Sequence, residues 1–313
     1  KWVEVAEVQP GDRSVVHHIL VFAKSDGELR KFDGEGAFLA AYVPGFLPQR
    51  YPAGMAKLVP AGSKLIFQIH YTPNGKAAAD QSRIGLCFAD PHKVTHAVMT
   101  SEARQARGLS IPPRADNHRL EADSPKAPRD VQLLNLMPHM HVRGKSFRYE
   151  LRSADGHSQT VLDVPRYDFN WQTSYQLAEP LQIPAGSVMH CIAHYDNSEN
   201  NPNNPNPNAT VRWGEQTWDE MLIGYFDIAV PRAAFDAGRS SDTGKPAKNV
   251  AKRLPLVLTK VLEQIQQLDT NKDGIISADE VPARLLPIFK QLDLNGDQKL
   301  TVEEVRKAIE ARK

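Results

Sequence analysis

His139 and His141, in the stretch LNLMPHMHVRGKSFRYEL (134–151), stand two residues apart where apolar and polar side chains alternate. On a strand, that spacing puts both imidazoles on one face. Such a pair can begin a transition-metal site but does not complete one. His17 and His18, in VVHHILVF, are adjacent, so on a regular strand they point to opposite faces. Both reach one ion only at a sheet edge or where the strand is twisted. His70, in LIFQIHYTPNG, lies near the end of another expected strand in the same region and is the natural third imidazole. Three imidazoles suit copper or zinc. Met221 opens the apolar run MLIGYFDIAV, and composition alone reads it as core. As a third ligand beside His139 and His141, its soft thioether would favour Cu(I), whereas a zinc hydrolase has no use for it.

A different chemistry is written near the C-terminus. DTNKDGIISADE (269–280) places Asp269, Asn271, Asp273, Ile275 and Glu280 at the ligand positions of an EF-hand calcium loop, with Gly274 at the sharp turn. DLNGDQKLTVEE (293–304) repeats the pattern with Asp293, Asn295, Asp297, Lys299 (through its carbonyl) and Glu304. Its turn position holds Gln298, which must take a conformation that glycine takes more cheaply, so weaker binding is expected there. The connector VPARLLPIFKQL has room for one helix, and Leu285, Leu286, Ile288 and Phe289 would form a small core. The stretch lacks the methionines of a target-binding groove, which favours a closed, structural module.

The elements that must hold these residues read as strands. KWVEVAEV, SVVHHILVFAK, AFLAAYVP, SKLIFQIHYT and SRIGLCFAD precede residue 105, separated by turn signals such as Asn74-Gly75. KSFRYELRSADG, GSVMHCIAHYDNS, ATVRWGEQTW and MLIGYFDIAV follow, and NSENNPNNPNPN (197–208) interrupts them as a long surface loop. Short strands without helical period predict an all-β fold of two tandem antiparallel, jelly-roll-like β-sandwiches, over 1–105 and 106–232. Residues 233–250 have linker composition. From 251 to 313 the chain reads as a small α-helical EF-hand pair, with Leu258, Val261, Leu262 and Ile265 on one helical face.

Composition narrows the function classes. With 38 Lys+Arg against 37 Asp+Glu, the net charge of +1 gives no nucleic-acid footprint. No apolar run approaches the ~20 residues of a membrane span. Cys87 and Cys191 are too far apart in sequence to suggest a disulfide framework and read as two small buried hydrophobes. The chain starts inside an expected strand, as a processed product would, and a secreted or periplasmic location is expected although no signal peptide is present.

The order His17-His18, His70-Tyr71, His139-Met140-His141 with Gly144-Lys145, then the string from Gly214 to Met221, resembles the copper type II, ascorbate-dependent monooxygenases. That group contains peptidylglycine α-hydroxylating monooxygenase and dopamine β-monooxygenase, and the resemblance covers about residues 1–232. It implies two copper ions. His17, His18 and His70 would hold the one that stores and delivers an electron, and His139, His141 and Met221 the one where O₂ is activated. It further implies hydroxylation of a C–H bond in a small-molecule or peptide-like substrate, with ascorbate or another one-electron donor. Tyr225 matches a substrate-pocket tyrosine of the peptide-amidating members, although an aromatic residue in a strand is more often core. Those members carry a carboxylate-gripping arginine where this chain has Met137, which argues against a glycine-extended peptide. A cupin-like metalloenzyme would want a glutamate about where Lys145 stands. A non-catalytic, secreted copper- and calcium-binding module is the alternative, and the unlike make-up of the two ligand sets speaks against it.

Overall fold

A computed structural model describes residues 1–24 and 38–243 and, further on, 275–277, 280, 281, 289, 293, 295 and 297–301. The chain divides into two compact units, Lys1–Ala237 and Gly238–Lys313.

The first unit begins with β1 (Trp2–Gln9), β2 (Val16–Lys24), β3 (Phe38–Tyr42), β4 (Gln49–Arg50), β5 (Met55–Leu58), β6 (Lys64–Tyr71) and β7 (Arg83–Phe88). It continues with β8 (His96–Arg104), β9 (Ser110–Ile111), β10 (His118–Asp123), β11 (Val131–His139), β12 (Gly144–Arg152) and β13 (Ser158–Val164). It closes with β14 (Tyr175–Ile183), β15 (Val188–Tyr195), β16 (Val211–Arg212), β17 (Ile223–Pro231) and the start of helix α1 (Arg232–Thr243).

One eight-stranded sheet, ordered β14-β11-β17-β8-β5-β1-β4 with β7 also on β1, runs through both halves. Over β1 and β7 lies the sheet β3-β2-β6, and Val3, Ala6 and Val8 pack there against Val16, Ile19, Val21, Leu39 and Ala40. Over the other end lies β10-β15-β12-β13. On β12, Phe147, Tyr149 and Leu151 face inward while Arg148 and Arg152 face water, the period-2 pattern of a one-sided strand. They meet Leu133, Leu136 and Phe226 from the large sheet.

The pairing is antiparallel except where the halves join. There β5 runs parallel to β8, Met55 against His96 and Ala56 against Ala97. β8 lies N-terminal to the expected boundary at 105, yet it pairs with β17 at nine successive positions. The seam is also tied by a buried polar cluster. Asp227 on β17 faces Lys57 Nζ at 3.1 Å and accepts hydrogen bonds from Asn135 Nδ2 at 2.9 Å and Tyr51 Oη at 3.2 Å. Burial holds the Lys57 ammonium below its ordinary pKa despite that carboxylate.

Three expectations change in detail. The stretch 233–250 begins as a helix rather than a linker, because Phe235 finds Trp2 to pack on at a ring distance of 5.9 Å. Cys191 is buried as expected, but Cys87 is exposed on the outer face of β7, and both are free thiols. The loop 197–208 forms no strand, yet Asn197 at its start is fully buried, because its side chain donates to the carbonyls of Pro112 and Ala209. Among the described residues no helix is long and apolar enough to cross a membrane.

In the second unit, β18 (Ile276–Ser277) pairs antiparallel with β19 (Lys299–Leu300), so the two expected calcium loops meet as a short ribbon, Ile276 opposite Leu300. Leu300 and Phe289 are buried. Gln298 has φ +60°, the left-handed turn required of it. Its N–H donates to Asp293 Oδ2, and Asp297 N–H donates to Asn295 Oδ1. Glu280 Oε2 accepts from the N–H and hydroxyl of Ser277. Asp269, Asn271, Asp273, Gly274 and Glu304 lie outside the described residues, as do Leu285, Leu286, Ile288 and the expected helical face from Leu258 to Ile265.

Candidate metal centre

His18 lies opposite His70 in the β2–β6 ladder, and Val16 lies opposite Tyr71. Two steps on β2 therefore match one step on β6, which makes His17 the extra residue of a β-bulge. β2 is the central strand of its sheet, not an edge. The bulge is what re-aims His17, and adjacent histidines converge instead of splaying. His17 Nδ1 and His18 Nδ1 are 3.0 Å apart. Two nitrogens bound to one ion at about 2.0–2.1 Å and an angle near 95° would stand about that far from each other. His70 completes the group, with ligand atoms of all three residues within 4.8 Å of one another.

His139 is the last residue of β11, opposite Ile223. His141 is not on the strand. It follows in the turn to β12, with the buried Met140 pointing the other way, so the alternation persists after the ladder has ended. The turn is held by Glu220, a fully buried carboxylate. It accepts the N–H groups of His141 at 2.8 Å, Arg143 at 2.7 Å and Met221 at 3.3 Å. Burial lifts Glu220 to about 7 against the downward pull of those donors and of Arg143. Arg143 is braced in turn, donating to Asn197 Oδ1 and to the Trp218 carbonyl. Gly144 completes the turn, since a Cβ there would come within 2.7 Å of the Tyr167 ring.

The imidazole rings of His139 and His141 lie 5.3 Å apart. His141 Nδ1 faces the Asp219 carbonyl at 3.2 Å, and a carbonyl can only accept, so Nδ1 carries the proton and Nε2 keeps the lone pair that can bind a metal ion. Burial is the first cause lowering His18 to about 2, His139 to about 3 and His141 to about 4, with neighbouring imidazoles adding to it. His17 and His70 are lowered by burial as well. Neutral imidazoles are what a metal ion requires.

Both groups meet one cavity of about 240 Å³. His18 lines it from the first half, and His139, His141 and Met221 line it from the second. Phe22, Phe38, Val43, Met137, Ile223 and Tyr225 supply apolar wall, and Glu102 with Arg104, paired at 3.2 Å, a polar patch. Tyr225 stands on the cavity, stacked on Phe38 at 6.2 Å, rather than in the core. Met221 is half-buried on the wall and its carbonyl accepts from Tyr195 Oη. Thr217 reaches across to within 3.4 Å of His70 Nε2. His190 and His194 are engaged elsewhere, with Asp123 and Ser146.

Clustered neutral imidazoles in the first group could hold a transition-metal ion, and the second offers two imidazoles on a cavity that Met221 also lines. The residues not foreseen are those that hold the ligands. Glu220 lies in the Gly214–Met221 string that carries the resemblance, but nothing in the sequence marks it as the acceptor that holds the His141 turn. Phe169, which stacks on His17 at 4.8 Å, and Gln172 had no sequence signal.

A family model described as EF hand matches residues 262–281. The C-terminal region thus carries an EF hand, which points to calcium. Among curated proteins none matches the chain. Solved structures with some likeness are those of infectious bursal disease virus. The Gt strain gives a TM-score of 0.25 at 12% identity, covering 72% of this chain and 55% of that one. The Gx strain gives 0.25 at 12%, covering 73% and 56%. The VP2 subviral particle gives 0.21 at 12%, covering 72% and 55%. This chain spans little more than half of those chains, and a likeness so low carries no argument about fold or function.

Proposed function

We propose that the β unit is a copper-dependent monooxygenase that hydroxylates a C–H bond of a small, largely apolar molecule, using O₂ and an external one-electron donor such as ascorbate. The observation that carries this reading is one cavity lined by His18, a member of the three-imidazole cluster, and by His139, His141 and the thioether-bearing Met221. A storage or adhesion module has no need for that asymmetry.

His17, His18 and His70 would hold one copper, and His139, His141 and Met221 the other. Bound copper would supply one-electron transfer and activation of O₂. The chain's own part is to bind, orient and exclude water. The Asp219 carbonyl keeps His141 in the tautomer that offers Nε2. Glu220 fixes the backbone of His141 and Met221 together. Phe22, Phe38, Val43 and Tyr225 give the cavity an apolar wall opposite the polar groups Glu102 and Arg104, which favours a largely apolar substrate with a polar end. Met137 offers no charge to a carboxylate, so a peptide C-terminus is disfavoured.

The test is copper stoichiometry together with oxygen uptake. Two coppers per chain, and uptake coupled to ascorbate oxidation and to a hydroxylated product from a panel of small apolar compounds, are expected. Copper binding with no turnover of any panel member would favour the non-catalytic module instead. In this reading the C-terminal EF hand holds calcium as a structural element. Oxygen uptake should therefore survive calcium chelation.

A further inference from the structure

Residues 165–174, between β13 and β14, touch both histidine groups. Tyr167 Oη donates to the Met140 carbonyl at 2.7 Å and accepts the Met140 N–H at 2.9 Å, pinning the residue between the two histidines. Phe169 stacks on His17 and stands edge-on to His141 at 6.0 Å. Trp171 covers Gly45, whose φ of +87° and lack of a Cβ allow ring atoms to within 2.7 Å of where that carbon would be. Gln172 is buried and faces His139.

The Gln172 amide has a determined direction. One of its ends meets the Phe169 carbonyl at 2.9 Å, and a carbonyl can only accept, so that end is the NH₂. The oxygen Oε1 is thereby turned to His139 Nδ1, at 2.6 Å. An amide oxygen can only accept too, so His139 Nδ1 must carry the proton and Nε2 the lone pair. We infer that Gln172 is a positioning residue for the His139/His141/Met221 group: it locks His139 in the Nδ1–H tautomer and aims Nε2 at the cavity. The Phe169 carbonyl ties this lock to the ring that packs on His17, so one segment touches both groups.

The tautomer is independent of any metal, whereas its consequence for metal binding rests on the copper reading. The two are separable by experiment. Nitrogen-15 spectra of the metal-free protein at neutral pH should show His139 as the Nδ1–H tautomer. Gln172→Leu should release the ring and let the Nε2–H form appear. Gln172→Glu, which also presents an acceptor, should restore the Nδ1–H form.

In copper titrations, Gln172→Leu should weaken the His139/His141/Met221 site about 10–100-fold and leave the three-imidazole site unchanged, with Gln172→Glu near wild type. An Nε2–H tautomer in the wild type, or copper binding by Gln172→Leu equal to wild type, would overturn the inference. Should Gln172→Leu not fold, the wild-type tautomer and the Gln172→Glu titration still decide. A wild type with the stated tautomer but no copper at this group would sink the copper reading and leave the lock standing.

Discussion

His17, His18 and His70 come together within one strand pair, whereas His139, His141 and Met221 depend on side chains from several separate segments. In the first group the bulge on β2 and the register with β6 do nearly all the work. In the second, β11 delivers only His139. His141 sits in a turn whose backbone N–H groups are satisfied by Glu220, a residue 79 positions away, and Gln172, 33 positions away, orients the His139 ring. Ligands placed by a ladder are secured by the same hydrogen bonds that make the sheet. Ligands placed by a turn need partners brought from elsewhere, each a buried polar group that costs stability if its mate is lost.

Glu220→Ala is the sharpest way to break that comparison. It leaves the three backbone N–H donors of a buried turn without their acceptor, at about 1–3 kcal/mol for each one left unsatisfied. Thermal or urea unfolding would measure it. The variant should also lose the His139/His141/Met221 copper while the three-imidazole group, built on the opposite sheet, still loads. Equal loss at both groups would mean that they are not built independently.

Met221→Ile comes next, because it removes one ligand and leaves the scaffold. Stability should change by less than about 1.5 kcal/mol, as for a volume-conserving apolar swap. Copper content should fall from two to one per chain, with oxygen uptake abolished. Unchanged stoichiometry and full activity would show that Met221 is wall and not ligand.

Acidification of the metal-free protein should also destabilise the fold. His18, His139 and His141 have folded pKa values of about 2, 3 and 4, below the 6.5 of an unperturbed histidine. Between those values and 6.5 the unfolded chain binds protons that the folded chain does not. The stability of the neutral imidazoles is therefore whole above pH 6.5 and declines as the pH falls below it. His18→Asn should flatten the fall over a wider range than His141→Asn, since the His18 window is the longer. Melting temperatures followed from pH 7 to about 2.5 read that difference below pH 4, and a profile flat in the parent protein would contradict this.

Much of the first group could be seen in the sequence, because adjacent histidines and a third on a nearby strand are a local pattern. Their convergence could not, since an alternating strand hides where a bulge will fall. His139 and His141 were legible as a pair, but the strand expected to carry both ends at His139. What holds His141, Glu220 and Asp219, becomes meaningful only once β17 is laid beside β11. Phe169 and Gln172 sit in a polar loop with no period to mark them. The fused large sheet was equally hidden, because the parallel contact of β5 with β8 spans two residues and leaves no pattern. Apolar alternation revealed the strands; which strands become neighbours is a long-range outcome that alternation does not encode.

The calcium loops extend the contrast to the smallest scale, since their geometry is set by residues a few positions apart. The second loop has a non-glycine residue at its turn, Gln298, at φ +60°. A side chain there costs about 1–2 kcal/mol relative to the right-handed region. Glycine would remove that cost but bring its own loss of freedom on folding, about 0.5–1 kcal/mol. Gln298→Gly should therefore stabilise the C-terminal unit by roughly 0–1.5 kcal/mol and strengthen calcium binding by the second loop. The Gln298 N–H donates to Asp293 Oδ2 whatever its side chain, so the substitution keeps the loop's internal hydrogen bond and isolates the backbone term. Calcium titration of the whole chain, with Glu280→Gln silencing the first loop, would read the second loop alone. Weaker binding by Gln298→Gly would show that the glutamine side chain contributes to the loop more than its backbone strain removes.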